Sequence, residues 1–181
     1  VDGMHQLLHY ANGAWQSLSL PPGVEGVYRL QLHDGSLDVA TGSGLYRWRG
    51  QWERFTPDDG LGGFEVRDLA VDGQGALWAV THSGGLSRYD GHRLSHIGVE
   101  DGLPTPYVFD VAQDSAGVMW FGGRGGVSRW TSEGLRVFTS EDGLSGDRIW
   151  ALAVDTGGTL WAGAVGMGNG LSRLQGDRFE A

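Results

Sequence analysis

Three stretches of this sequence superpose on one another at an interval of about 41 residues, and this internal repeat limits the possible folds more than any other feature. Each stretch is anchored by a tryptophan: Trp78, Trp120 or Trp161. A degenerate earlier copy, SLDVATGSGLYRWRG, places Asp38 at the tryptophan position. The stretches are ALWAVTHSGGLSRYDG (76–91), VMWFGGRGGVSRWTSEG (118–134) and TLWAGAVGMGNGLSRLQG (159–176). A sequence that repeats in this way folds as similar units that stack on their neighbours.

The pattern within one repeat predicts four short strands. An alternating apolar segment such as VRDLAVD, VFDVAQD or IWALAVD comes first, followed by a glycine turn, the tryptophan segment, a second glycine turn and two outer strands. A period of roughly 40 to 45 residues with four strands per unit is typical of a β-propeller blade, whereas leucine-rich repeats are shorter. We therefore predict an all-β chain of β-propeller blades of four antiparallel strands, with about four complete blades and a half blade.

The predicted organisation begins with an outer-strand hairpin of an incomplete blade. The segments are the hairpin at 1–20 and blades 1 to 4 at 21–57, 58–98, 99–139 and 140–181. Blade 1 is divergent, because it opens with Pro21-Pro22-Gly23-Val24 and has a shorter first turn at Asp34-Gly35-Ser36.

The hairpin raises the question of how the ring is completed. Gly3-Met4 aligns with Gly44-Leu45 of blade 1, so residues 1–20 correspond to two outer strands without their inner strands. Residues 170–180 already supply both outer strands of blade 4, so the hairpin does not close that blade. Three alternatives stay open: part of a longer propeller, several copies forming one composite ring, or a closed monomer of four or five blades.

The repeat resembles a known family. The openings Asp59-Gly60-Leu61, Asp101-Gly102-Leu103 and Asp142-Gly143-Leu144, with the closing motif Gly85-Leu86-Ser87-Arg88-Tyr89-Asp90-Gly91, are similar to the two-component regulator propeller repeat. That family implies an extracytoplasmic sensor region of a hybrid histidine kinase, in the periplasm or outside the cell. It implies a non-catalytic domain that binds a carbohydrate or another small molecule and signals through a partner domain, with any missing blades supplied by the rest of the chain or by another copy.

Composition and charge narrow the function classes. The net charge of −9 is spread along the chain without a basic stripe, so a nucleic-acid partner is not expected. No apolar run is long enough to cross a bilayer, so we expect no membrane insertion by this segment. The chain has 0 cysteines, which excludes disulfides and cysteine zinc sites but leaves the cellular compartment open.

One repeat position varies while its apolar neighbours do not, and it is the candidate ligand site. The innermost strands place Tyr28, Arg67, Phe109 and Trp150 at this position, near the mouth of the central channel. Aromatic rings and an arginine suit stacking on a flat ligand and bonding to a carboxylate. The loops before these strands add Tyr107 and Arg148 to the candidate site, and Glu65, Thr105 and Asp147 as further polar groups. The alternative is that these residues only pack between blades.

Signs of catalysis or of a metal centre are weak. His92 and His96 would be separated by roughly 13 Å along a strand, too far to share one zinc ion. No two carboxylates stand apart from their repeat equivalents, so we expect no catalytic residues, metal or cofactor. The aspartates before each glycine turn and in each Asp-Gly-Leu are expected to cap turns, and the arginine that recurs in every third strand is expected to pair with acids. An enzyme on a propeller scaffold, such as a lyase or a glycan-cleaving enzyme, and a purely structural blade module remain as alternatives.

Overall fold

The computed structural model describes residues 6–166 and 169–181. Its strands are β1 (Gln6–Ala11), β2 (Ala14–Ser19), β3 (Val27–His33), β4 (Ser36–Thr41), β5 (Gly44–Trp48), β6 (Trp52–Phe55), β7 (Val66–Val71), β8 (Leu77–Thr81), β9 (Gly85–Tyr89), β10 (Leu94–Ile97), β11 (Val108–Gln113), β12 (Met119–Gly123), β13 (Gly126–Thr131), β14 (Gly134–Phe138), β15 (Ile149–Val154), β16 (Leu160–Ala164), β17 (Gly170–Gln175) and β18 (Arg178–Glu180). Three short 3₁₀ helices join the blades at Pro57–Asp59, Val99–Asp101 and Ser140–Asp142.

The strands form four antiparallel sheets of four strands and one two-stranded hairpin, which confirms the predicted fold class. Each sheet is a meander in chain order: β3 to β6, β7 to β10, β11 to β14 and β15 to β18. We call these sheets blades 1 to 4. The hairpin pairs β1 with β2, while the proposed alignment of Gly3-Met4 lies outside the described residues.

The turns explain where the strands end. Asn12 and Gly13 both have positive φ, 53° and 79°, as the two-residue turn between β1 and β2 requires. Asp34 and Gly35 do the same between β3 and β4, with φ of 47° and 69°. The shorter first turn predicted for blade 1 is therefore present.

Local hydrogen bonds fix the Asp-Gly-Leu motifs that open blades 2 to 4. The carboxylates of Asp59, Asp101 and Asp142 each accept a hydrogen bond at 2.9 Å from a backbone N–H three residues earlier. Each bond closes one of the 3₁₀ helices, and the following glycine is left-handed. The capping role expected of these aspartates is confirmed, and the 3₁₀ turn itself is an addition that the sequence did not indicate.

Apolar cores lie between neighbouring blades. Leu69, Leu77 and Phe55 share one core between blades 1 and 2, and similar clusters separate the later blades. The tryptophan anchors Trp78 and Trp120 are 0% and 1% exposed in the second and third of these cores. The hairpin packs on blade 1, where the indole N–H of Trp52 donates to the carbonyl of Ser19 at 2.9 Å.

The recurrent arginines of the third strands pair with acids, as expected. The closest ion pairs are Arg47 with Asp38 at 2.7 Å, Arg88 with Asp72 at 3.4 Å, Arg129 with Asp177 at 3.1 Å and Arg173 with Glu180 at 3.2 Å. Only the first of these pairs is fully buried, and it lies where the other blades have a tryptophan. These arginines therefore belong to the scaffold.

Both ends of the run of blades expose apolar side chains. Leu30 and Leu32 of blade 1 are 47% and 77% exposed, and Leu171 of blade 4 is 65% exposed. A closed ring would bury such faces against each other, so these exposures argue against the closed monomer. No helix in the described part of the chain is long and apolar enough to cross a membrane.

Candidate functional site

The four innermost strands lie side by side at one edge of their sheets. β3 neighbours β7, β7 neighbours β11, and β11 neighbours β15. Each of these strands has a β-bulge close to its start, where the pairing with the second strand shifts by one residue. The extra residues are the four at the variable repeat position: Tyr28, Arg67, Phe109 and Trp150.

A bulge gives these side chains their common direction. The extra residue of a bulge is left out of the ladder, and the strand bends locally, which re-aims the side chain. The apolar residue before the bulge is buried in blades 2 to 4, at 0% exposure for Val66, 3% for Val108 and 0% for Ile149, whereas Val27 of blade 1 is 40% exposed. The β-bulge therefore explains why each repeat has a uniform apolar residue directly before the variable residue of the predicted site.

The bulge residues contact each other across blades. The guanidinium carbon of Arg67 lies 4.9 Å from the ring centroid of Tyr28, joining blades 1 and 2. The rings of Phe109 and Trp150 lie 4.6 Å apart between centroids with an angle of 36° between their planes, joining blades 3 and 4. Both separations fall within the stacking range of such groups.

His82 connects blade 2 to the aromatic pair. Its ring centroid is 5.7 Å from that of Phe109 and 5.8 Å from that of Tyr107. The buried Nδ1 atom of this imidazole has no hydrogen-bond partner among the described residues. We call the two contact groups together the mouth arc: Tyr28 and Arg67, and His82, Tyr107, Phe109, Trp150, Arg124 and Arg148.

Accessibility differs along the mouth arc. Tyr28 and Trp150, at its two ends, are each 45% exposed, whereas Phe109 in the middle is 8% exposed. Phe109 thus packs between its neighbours, as the packing alternative expects, while Trp150 presents ring surface to solvent. The ring surface that a ligand could reach is therefore mainly that of Trp150 in blade 4 and of Tyr28 in blade 1.

The arginines of the mouth arc differ in their partners. Arg67 forms an ion pair with Glu65, so its charge is balanced within its own blade. Arg148 stacks over Trp150 at 5.6 Å, and Arg124 over Tyr107 at 4.4 Å. Neither Arg124 nor Arg148 lies within ion-pair distance of a carboxylate in the described residues.

The loops that lead into the innermost strands are pinned by the second glycine turns. The N–H of His82 donates to the carbonyl of Glu65, that of Arg124 to Tyr107 and that of Val165 to Arg148, at 2.9 to 3.0 Å. Thr105 donates from its hydroxyl to the carbonyl of Arg124, and the carboxylate of Asp147 accepts from Ser140 N–H. Thr105 and Asp147 therefore hold the loops that were expected to offer polar groups.

His82 and Arg124 were not assigned to the site from the sequence. Both stand four residues after a tryptophan anchor, Trp78 or Trp120, so they share one repeat position. This position directly faces the loop before the bulge, as the backbone bonds show. Comparing the second glycine turns across repeats would have found it, because Gly42 and Val165 occupy the same place in the other blades.

Two carboxyl groups meet on the inner wall, one residue past the bulges. Asp110 accepts a hydrogen bond from Leu152 N–H at 2.6 Å, and Asp68 accepts one from Val111 N–H at 3.3 Å and pairs with Arg29 at 3.1 Å. Burial, followed by the hydrogen bond with Asp68, raises the pKa of Asp110 to about 7. Sequence reasoning found no such pair, since it treated each aspartate within its own repeat.

Two open cavities lie against the blades in the described structure. One of about 460 Å³ follows the inner wall, with Arg29, Asp68 and Asp110 in its lining. A larger one of about 1000 Å³ lies at the opposite ends of blades 2 and 3, near Trp130, and its arginines already pair with acids. Within the described residues, no group of three or more His, Asp or Glu side chains is arranged to hold a metal ion.

Solved structures similar to this chain are β-propellers. The extracellular domain of a hybrid two-component system from B. thetaiotaomicron matches with a TM-score of 0.76 and 18% identity, covering 95% of this chain and 25% of the other. Virginiamycin B lyase from Staphylococcus aureus matches with a TM-score of 0.72 and 17% identity, covering 96% and 60%. PorZ, a surface component of the type-IX secretion system of Porphyromonas gingivalis, has a TM-score of 0.61 and 17% identity, covering 92% and 28%.

These likenesses establish the fold alone, because the identities are low. The chain spans about a quarter of the length of the sensor domain that it matches. No curated protein matches the sequence. The model of the two-component regulator propeller family matches residues 102–125, which begin at Gly102 of the second Asp-Gly-Leu and contain the bulge of β11 and strand β12. The resemblance seen in the sequence is thereby confirmed for one repeat, in blade 3, and the chain as a whole is a segment of a β-propeller.

Proposed function

We propose that this chain is a non-catalytic sensing segment of a two-component regulator propeller and that it binds a small solute on the mouth arc. The observation that carries this proposal is the pairing of Phe109 with Trp150 across blades 3 and 4, which leaves Trp150 45% exposed beside an arginine. Burying a large aromatic ring stabilises a protein, so a half-exposed ring held by a neighbouring blade is suited to a ligand.

The chemistry of the mouth arc favours a ligand with a flat face. Trp150 and Tyr28 offer ring surface, and Arg148 adds a planar donor. Sugar rings and aromatic solutes both stack on such surfaces, so a carbohydrate or another small ring compound is the proposed ligand class. The sensor domains to which the chain is similar are extracellular, and we assign the segment to the periplasm or the cell exterior on that basis.

Additional blades complete the ring in this proposal. The exposed leucines of β3 and β17 support this, because a stacked blade would cover them. The similar sensor domain extends well beyond the matched region, which favours further blades of the same protein over a second copy. Light scattering coupled to size exclusion tests the point, since a stable multimer of this segment would favour the composite ring.

A ligand screen tests the proposed site. Neutral glycans, aromatic solutes and small acids are titrated while tryptophan fluorescence is recorded, and hits are confirmed by calorimetry. Trp150→Ala is expected to lower the affinity of a hit at least tenfold. Trp15→Ala is the matched control, since Trp15 is also an exposed tryptophan at 70% but lies on the hairpin. Equal affinities of wild type and Trp150→Ala would overturn the assignment of the mouth arc.

A further inference from the structure

We propose that Arg124 and Arg148 together form a subsite for an oxyanion, and that the solute bound at the mouth arc is a ring compound bearing a carboxylate, sulfate or phosphate group. This inference deepens the proposed function and rests on it for the ring. It adds Arg124, which lies outside the innermost strand, to the binding residues, and it specifies that the ligand is negatively charged.

The two arginines are direct partners across a blade boundary. Arg124 of the β12–β13 turn and Arg148 before β15 form an isolated antiparallel β-bridge. Residues directly opposite in an antiparallel pair have their Cβ atoms about 4.5 to 5.5 Å apart and share one face. Two guanidinium groups therefore project from neighbouring backbone positions on the same side of the mouth.

Neighbouring side chains orient both groups without neutralising them. Arg124 lies over the ring of Tyr107 at 4.4 Å, and Arg148 over Trp150 at 5.6 Å. Both arginines are exposed, and in the described part of the chain neither forms an ion pair. Eight of the other eleven arginines pair with carboxylates: Arg29, Arg47, Arg49, Arg67, Arg88, Arg129, Arg136 and Arg173.

This arginine pair differs from Arg129 and Arg136, which also lie directly opposite each other but both pair with Asp177. Like charges directly opposite in a sheet repel each other, and the chain as a whole carries a net charge of −9 with 22 acidic residues. Although acidic residues are abundant in the chain, neither arginine forms an ion pair in the described residues. A bound oxyanion removes the repulsion, and the planar fork of each guanidinium matches two oxygens of a carboxylate, sulfate or phosphate.

The backbone beneath the pair is rigidly connected. Gly125 N–H and Gly126 N–H both donate to the carbonyl of Asp147, at 2.7 and 2.8 Å, which ties the turn of blade 3 to the loop of blade 4. The carboxylate of Asp147 accepts hydrogen bonds from the N–H and the hydroxyl of Ser140, and in the described residues it forms no ion pair with Arg148. A subsite that is already positioned loses less entropy when it binds an anion.

The probes are benzoate, benzamide and inorganic sulfate, titrated into the whole chain by calorimetry and by NMR chemical-shift perturbation. Benzoate is expected to bind better than either of the others, because only benzoate has both the ring and the charge. Arg124→Gln and Arg148→Gln are each expected to weaken benzoate binding at least tenfold and to flatten its salt dependence. Arg93→Gln is the charge-matched control, since Arg93 is exposed near the β9–β10 turn, and it is expected to leave binding unchanged.

The outcomes separate this inference from the proposed function. If benzoate and sulfate do not bind, or if their binding is unchanged in both arginine variants, the oxyanion subsite is overturned. Binding of a neutral ligand that is lost in Trp150→Ala would still support the mouth arc. Benzoate binding that is lost in the arginine variants but unchanged in Trp150→Ala supports the subsite and overturns the stacking function. Sulfate binding that is as strong as benzoate binding and sensitive to both arginines supports the anion site but contradicts the inference that the ligand contains a ring.

Discussion

The carboxylate of Asp114 accepts a hydrogen bond from the indole N–H of Trp120 at 2.8 Å, six residues further along the chain. The other oxygen of the same carboxylate accepts the backbone N–H groups of Ala116 and Val118, both at 2.9 Å. One side chain thus closes the first turn of the blade and fixes the tryptophan at the boundary with the next blade. Blade 2 repeats this arrangement with Asp72 and Trp78.

We expect Asp114→Ala to destabilise the protein by about 2 to 3 kcal/mol, because three donors lose their acceptor and the indole is buried. Asp114→Asn keeps one acceptor oxygen and is expected to cost less. The measurement is urea unfolding followed by far-UV circular dichroism. Asp155→Ala removes the same bonds in blade 4 and is the matched control.

The control is informative because Trp161 is less buried than Trp120. Donors that reach water lose little when their acceptor is removed, so Asp155→Ala is expected to have the smaller effect. Equal losses in the two blades would mean that the turn alone, and not the buried indole bond, accounts for the stabilisation.

Blade 1 replaces the tryptophan with a buried ion pair, and this substitution leads to a second prediction. Arg47 donates to both carboxylate oxygens of Asp38, at 2.7 and 3.1 Å, and its guanidinium lies 4.4 Å from the ring of Tyr89. Arg47→Met removes both hydrogen bonds of a buried carboxylate and leaves it only the imidazole of His33 at 3.5 Å, which we expect to cost roughly 3 to 5 kcal/mol.

The double variant Asp38→Leu with Arg47→Met is expected to recover most of that loss, since no buried charge remains. Thermal unfolding of the wild type, both single variants and the double variant completes the cycle. A double variant no more stable than Arg47→Met alone would contradict the view that the unpaired carboxylate is the main cost.

The repeat made much of the fold predictable. Trp78, Trp120 and Trp161 set the period, and the alternation in VRDLAVD indicated the innermost strand, so four blades and a hairpin followed without further information. The exchange of a tryptophan for Asp38 was visible as well. Its pairing with Arg47 became specific only when β4 and β5 were seen side by side.

The candidate site was partly predictable. The variable position of Phe109 and Trp150 stood out because its neighbours are uniform, although the β-bulge that re-aims it depends on backbone pairing that no residue type encodes. Contacts between blades were the harder part. The Asp68–Asp110 pair and the Arg124–Arg148 bridge each join different repeats, and their proximity depends on how the blades stack.

A third prediction concerns two glycines with the same φ angle. Gly126 and Gly134 both have φ of 113°, which side chains rarely adopt. A Cβ on Gly126 would lie 1.9 Å from the carbonyl oxygen of Phe138, whereas one on Gly134 would meet nothing within 4 Å. We therefore expect Gly134→Ala to cost about 1 to 2 kcal/mol from backbone strain alone, and Gly126→Ala to cost several kcal/mol more or to prevent folding.

Comparing the soluble yield and thermal midpoint of the two variants tests this prediction. The informative quantity is the difference in thermal midpoint between the two variants, because the strain from the φ angle is the same at both positions. Similar midpoints would show that β13 and β14 can separate to admit a methyl group without loss of the core around Phe138.

The last prediction concerns pH, and it follows from the carboxyl pair on the inner wall. Burial and the hydrogen bond with Asp68 raise the pKa of Asp110 from 3.8 to about 7, while Arg29 is the cation that faces the pair, through Asp68. Between pH 3.8 and about pH 7, Asp110 of the folded protein holds a proton that the unfolded chain has released. The free energy of unfolding is therefore expected to fall as pH rises from about 4 to 7 and to level off above that.

Asp110→Asn resembles the protonated carboxyl and can still accept the hydrogen bond from Leu152 N–H. We expect the stability advantage of this variant over the wild type to grow from pH 5 to pH 8, by on the order of 2 kcal/mol after solvent screening, because only the wild type loses stability as the pH rises. Urea unfolding at pH 5, 6.5 and 8 measures the difference, with Asp58→Asn as a control on an exposed carboxylate of the first 3₁₀ helix. Parallel pH profiles for Asp110→Asn and the wild type would show that the pair does not share a proton, and the contact between blades 2 and 3 would then be insensitive to pH in this range.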